Sequence, residues 1–224
     1  MEDLPGSGDC ESRTEVWGQT ALLVSSTSYI VAALFVLWWL RRHNSTLAPI
    51  AAAQVWAFAA GLVLAGLGSM DYHGPAYGPE PLLHDAGLAI ALVAALSIDL
   101  AQIGVRRRRL LISLVGLTVV AIGIIAVFPA ISPALAAVAA VGLVVAELLV
   151  YRRGIRTPGP ALYAGLAALT LGVAIFAVSR TGGPLCDPDS WFQGHGVWHV
   201  LTGLALALWA VTALPAKATE PGAS

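Results

Sequence analysis

Phe128-Pro129-Ala130-Ile131-Ser132-Pro133 sits in the middle of a run that carries one charged residue, Glu147, between Arg109 and Arg152. Proline removes a backbone donor and pushes the residue before it out of the helical region. The hexapeptide therefore reads as a tight turn dividing the run into two segments, 110–128 and 131–151. A helix crosses a ~30 Å hydrocarbon core with roughly 20 apolar residues. Five further stretches meet that length, at 19–40, 48–73, 82–105, 159–179 and 191–214. If the hexapeptide were a kink rather than a turn, one span would be lost and the order of charges along the chain would break.

Composition agrees with lipid as the main solvent. Of the 224 residues 58% are hydrophobic and 11% charged, against roughly 25% charged in a soluble domain. The expected fold class is therefore all-α, an integral membrane bundle of seven transmembrane helices. The expected domains are an N-terminal tail over 1–18, the bundle over 19–214, and a disordered polar tail over 215–224. The acidic N-terminus has no basic n-region and reads as no cleavable signal peptide.

Charge distribution sets an expected orientation. Arg41 and Arg42 follow the first segment, Arg106 to Arg109 the third, Arg152, Arg153 and Arg156 the fifth, and Lys217 the seventh. Of the twelve Lys and Arg residues, Arg13 and Arg180 alone fall on the other side. The positive-inside rule then puts the N-terminus outside and the C-terminus in the cytoplasm. Cys10 and Cys186 both fall on the outer side, where a disulfide persists, and a bridge there would pin the tail over the mouth of the bundle. The four-arginine run reads as a topology determinant in contact with anionic lipid; no nucleic-acid partner is expected. A compact chain of this kind suits a bacterial plasma membrane.

The polar residues at the outer ends carry the chemistry. Ser69 and His73 are four apart at the end of the second segment, and His195 and His199 four apart at the start of the seventh, so each pair shares a helix face. Imidazoles at that spacing grip one metal ion, and His73 supplies a third ligand. Zinc on three protein nitrogens keeps a fourth position for water, as catalytic zinc does. Asp85, opening the third segment, suits a general base and then acid, and Ser69 suits an oxyanion donor. The alternatives are a pair of histidines that only bridges helices, and haem ligation. Asp99 and Glu147 read as partners of the nearby Arg106 run and Arg152, His43 as solvated, and His84 as pointing away from Asp85.

At these residues the chain resembles the alkaline ceramidase family, in the wider CREST superfamily that also holds the adiponectin receptors. The family pattern is Ser-x-x-x-His on the second helix, Asp on the third and His-x-x-x-His on the seventh. Here it reads Ser69-Met-Asp-Tyr-His73, Leu82-Leu-His-Asp85 and His195-Gly-Val-Trp-His199. The resemblance implies zinc held by His73, His195 and His199, with Ser69 and Asp85 catalytic. It also implies a Cys10–Cys186 disulfide. The activity implied is hydrolysis of ceramide or a related N-acyl lipid, by attack of zinc-activated water on the amide carbonyl. Asp9-Cys10-Glu11 further resembles the start of a calcium motif. Where that motif continues with Glu and Asn, this chain has Gln19 and Leu22, so Ca2+ would meet fewer of the hard oxygen ligands it prefers. The competing readings are a receptor-like protein with structural zinc, and a haem-binding electron carrier.

Overall fold

The computed structural model describes residues 8–43, 49–75 and 82–214. The helices are α1 (Thr20–Ser25), α2 (Thr27–His43), α3 (Pro49–His73), α4 (Leu82–Gln102), α5 (Arg107–Val127), α6 (Ser132–Arg152), α7 (Pro160–Val178) and α8 (Gly194–Ala213). They form seven spans long and apolar enough to cross a membrane, α1 and α2 together making the first. The described residues contain isolated β-bridges but no strand. The Phe128–Pro133 turn is real: α5 stops at Val127, a 3-10 turn covers Pro129–Ile131, and α6 restarts at Ser132 with a proline in its first turn. The 215–224 tail lies outside the described residues.

The first span is not the single helix that its apolar run predicts. It breaks at Ser26, between α1 and α2. The Ser25 and Ser26 hydroxyls both donate to the Leu22 carbonyl, at 3.0 and 2.6 Å. Serine back-bonding of this kind competes with the main-chain ladder and bends helices.

The buried core lies where α2, α3, α4 and α8 meet, around Tyr29, Val36, Phe58, Leu62, Ala95 and Ala210. α5 reaches it through Leu114, but α5, α6 and α7 otherwise expose residues such as Val119, Val138 and Leu166, the apolar surface that lipid solvates. α3 and α4 touch backbone to backbone. A Cβ on Gly68 would lie 2.1 Å from the His84 nitrogen, one on Gly87 2.2 Å from the Ala65 nitrogen, and one on Gly61 2.5 Å from the Ala91 nitrogen. Small residues permit such approach, and without a hydrophobic force between helices in lipid, close packing is what holds them. The contact sets Ser69 and His73, at the end of α3, beside His84 and Asp85, at the start of α4.

At the opposite end the charged residues pair differently from the local expectation. Asp99 and Glu147 both bind Arg156, Glu147 at 2.8 Å, rather than the Arg106 run or Arg152. The chain turns back after α6 and lays Arg156 between α4 and α6. His43 is half-buried rather than solvated, stacked on Trp39 with ring centroids 3.7 Å apart.

Candidate metal centre

The three histidines expected to act together do converge. One nitrogen from each of His73, His195 and His199 lies within 4.8 Å of the others. His73 comes from the last residue of α3, and the other two from the first turns of α8. His73 and His199 are buried, and His195 is partly exposed. The rings of His73 and His195 are perpendicular, with centroids 5.2 Å apart, and His195 and His199 approach to 4.5 Å.

Each imidazole is held through Nδ1. The Gln19 amide nitrogen donates to the Glu11 carbonyl at 2.9 Å, which leaves Gln19 Oε1 to accept from His73 Nδ1 at 2.8 Å. His195 Nδ1 donates to Asp9 Oδ1 at 2.7 Å. The Ser25 hydroxyl proton is committed to Leu22, so Ser25 Oγ accepts from His199 Nδ1 at 3.1 Å. All three rings thus carry their proton on Nδ1 and turn the Nε2 lone pair to the remaining side. A partner for the second ring nitrogen fixes tautomer and orientation in metal-binding histidines. A donor set of three neutral imidazoles suits zinc.

These three partners lie within residues 9–25, where the local sequence signal is the partial calcium motif at Asp9 and Gln19 and no local pattern marks Ser25. The tail is a folded cap. Cys10 and Cys186 form a disulfide with Cα atoms 5.4 Å apart. Arg180 donates to Asp9 Oδ1 at 2.5 Å, and the Thr181 hydroxyl to the Asp9 carbonyl at 3.0 Å. Both Glu11 carboxylate oxygens accept from amides that open α1, those of Ala21 and Leu22, at 2.7 and 3.0 Å. That satisfies donors a helix N-terminus leaves free. Arg13 donates to the Gly74 carbonyl at 2.5 Å and so covers the end of α3. The two basic residues set apart from the rest of the positive charge, Arg13 and Arg180, therefore both hold the cap in place.

The cap reaches the histidines through Gly18. Its φ of +63° is the left-handed conformation, and a Cβ there would sit 2.2 Å from the His73 carbonyl oxygen. The next residue, Gln19, donates its backbone N–H to that same oxygen at 2.8 Å. A side chain at position 18 would be both strained and blocked.

Asp9 is buried beside three cationic or hydrogen-bonding groups. Burial alone would raise its carboxyl pKa, but the hydrogen bond from His195 and the Arg180 guanidinium outweigh it and hold the carboxyl below its ordinary range.

The remaining expected residues are placed as follows. Ser69 is buried one turn before His73 and bonded to Ser26 Oγ at 2.8 Å. Because the Ser26 hydroxyl donates to Leu22, Ser69 is the donor in that pair. Asp85 accepts from His84 Nδ1 at 2.8 Å. His84 therefore does turn to Asp85, contrary to the expectation from their adjacency. The structure brings Ser69 to the histidines through Ser26, which lies 3.5 Å from His199 Nδ1. It joins Asp85 to His84, next to the Gly68 contact.

No protein-family model matches this chain, and no curated protein matches it with statistical significance. The likeness to alkaline ceramidases therefore rests on Ser69, His73, Asp85, His195 and His199.

Proposed function

We propose that this chain is a zinc-dependent membrane amide hydrolase acting on ceramide or a related N-acyl lipid. The observation that carries the reading is the convergence of three imidazoles whose Nδ1 atoms are all engaged elsewhere. Zinc at such a site acts as a Lewis acid on a carbonyl and lowers the pKa of bound water towards about 7.

The chain's own residues supply the rest. His73, His195 and His199 would hold the ion. Asp85 takes the proton of the attacking water and returns it to the leaving amine, while His84 orients its carboxylate. Ser69 turns its hydroxyl from Ser26 to the developing oxyanion. An open apolar groove of about 290 Å³ runs between α1 and α8, lined by residues including Ala21, Ser25, Phe192, Gly196 and Val200. It offers an acyl chain a place beside the helix that carries His199. The geometry favours a small ion over the haem reading, because three imidazoles, not two, converge on one point. Calcium forms no part of this proposal, because the Glu11 carboxylate is committed to the start of α1. The orientation expected from the arginines puts the centre at the outer face.

The test is metal content and fatty-acid release from N-acyl lipids by detergent-purified protein. About one zinc per chain is expected, with release abolished by chelation and by His199→Ala. Asp85→Ala should keep the zinc and lose turnover. A zinc-free wild type, or a zinc-loaded one inert towards every N-acyl lipid offered, would overturn the proposal.

A further inference from the structure

Building on the metal-centre reading, we infer that Asp9 is a positioning residue for His195 and that the Cys10–Cys186 disulfide makes the metal affinity of the centre depend on thiol redox state. Asp9 is far from the ligands in sequence, yet its Oδ1 lies 2.7 Å from His195 Nδ1 and its Oδ2 3.9 Å from His73 Nδ1. Among the described residues it is the carboxylate paired with the two. A carboxylate behind a metal-bound imidazole raises ligand basicity and fixes the ring, and losing it typically costs 10–100-fold in metal affinity.

What keeps Asp9 there is the chain beside it. It is one residue from Cys10, and Cys10 is bonded to Cys186, in the loop that leads into α8 and its two histidines. The bridge thus ties the outer carboxylate to the helix it serves. Arg180 and Thr181 hold the other side of Asp9, and the Thr181 amide bonds the Gly8 carbonyl at 3.4 Å. Those contacts are hydrogen bonds at a partly exposed rim, where water competes. When a dithiol reductant attacks, it gives two electrons and two protons to the bridge and itself closes to a disulfide. Cys10 and Cys186 become thiols, and Asp9 is then held by those rim bonds and, further along the cap, by the anchors of Glu11 and Arg13, with no covalent tie to the α8 loop. The ligands stay intact, but the His195 ring loses the fixed acceptor behind it. Ser25, which serves His199, lies on the far side of Gly18, as does Gln19, which serves His73 but still reaches back to the Glu11 carbonyl.

The experiment is zinc affinity by competition with a chromophoric chelator, on full-length protein in detergent, with and without a dithiol. The variants are Asp9→Ala, Asp9→Asn and the Cys10→Ser, Cys186→Ser pair. Asp9→Ala, the cysteine pair and the reduced wild type should each bind zinc 10–100-fold more weakly. Asp9→Asn, which keeps an acceptor oxygen of the same shape, should fall between Asp9→Ala and wild type. A purely structural role for the tail predicts no such rescue, and it predicts weaker zinc binding only together with helicity lost by circular dichroism. Unchanged zinc affinity in both Asp9→Ala and the reduced protein overturns this inference while leaving the metal centre intact. A wild type that binds no zinc overturns the metal centre and this inference with it.

Discussion

Gly68→Ala tests the contact that brings α4 to the site. The added Cβ would sit 2.1 Å from the His84 nitrogen, 2.6 Å from the Leu83 carbonyl carbon and 2.7 Å from the His84 Cα. Real Cβ contacts essentially never fall under 3.0 Å, so the two helices must part by about 0.9 Å at least. All three obstructing atoms are main chain, so no rotamer change relieves the clash. Overpacking of this kind costs about 1–3 kcal/mol, set against a gain of roughly 0.5–1 kcal/mol for replacing glycine within a helix. The net expectation is a loss of up to about 2.5 kcal/mol. Gly116 in α5 has nothing within 4 Å of its would-be Cβ, so Gly116→Ala should show the helical gain alone. Unfolding of both variants in mixed micelles, followed by helical circular dichroism, gives the comparison. The displaced first turn of α4 carries Asp85. On the hydrolase reading, turnover should then fall by as much as about 10²-fold, the typical cost of a misplacement near 1 Å. Zinc content should hold, since no histidine lies on α4's first turn other than His84. A Gly68→Ala protein as stable as Gly116→Ala would refute the backbone contact and the placement of Asp85 derived from it.

The other expectations concern the charges and the hydroxyls. Arg156→Ala leaves two carboxylates, Asp99 with a side chain 0% exposed and Glu147 at 14%, without their cation. It should cost about 3–5 kcal/mol in the same unfolding assay. Adding Asp99→Asn and Glu147→Gln to that variant should recover most of it, and failure to recover would show that packing rather than charge is at stake. Ser69→Ala should keep zinc and lower kcat by about 10²–10³-fold if its hydroxyl serves the oxyanion; unchanged kcat would leave it a partner of Ser26 only. A single cysteine at Arg152, in a background with Cys10 and Cys186 replaced by serine, should react with membrane-impermeant maleimide only after the cytoplasmic face is opened. Labelling in intact cells would reverse the proposed orientation.

The spans were legible because each is a long apolar run bounded by charge or proline, and local composition alone decides whether a segment enters lipid. The histidine pair on α8 and the Ser69–His73 pair were legible for a similar reason, since helical spacing puts each pair on one face. What escaped was non-local. Nothing around Asp9 is periodic, so its place behind His195 follows from how the tail folds back, which no window of sequence contains. The same holds for Arg156, whose partners depend on the turn after α6, and for the break at Ser26, where side-chain hydroxyls overrule an unbroken apolar pattern. His84 was misread because adjacency in sequence says little at a helix start, where the side chain is free to swing back to Asp85.

The cap contacts also order the events of biosynthesis. Asp9 is among the first described residues to leave the ribosome, and its partner His195 belongs to the last of the described helices to do so. Domains assemble from the N-terminus as synthesis proceeds, but this contact has to wait for α8 to enter the bilayer. Until then the tail, the six earlier spans and His73 stand without the residues that finish the cluster. Closing so long a loop is slow and comes late. A chain stalled before Cys186, ahead of α8, therefore has an open rim and an unpaired Cys10, a chemical mark by which unfinished copies differ from finished ones.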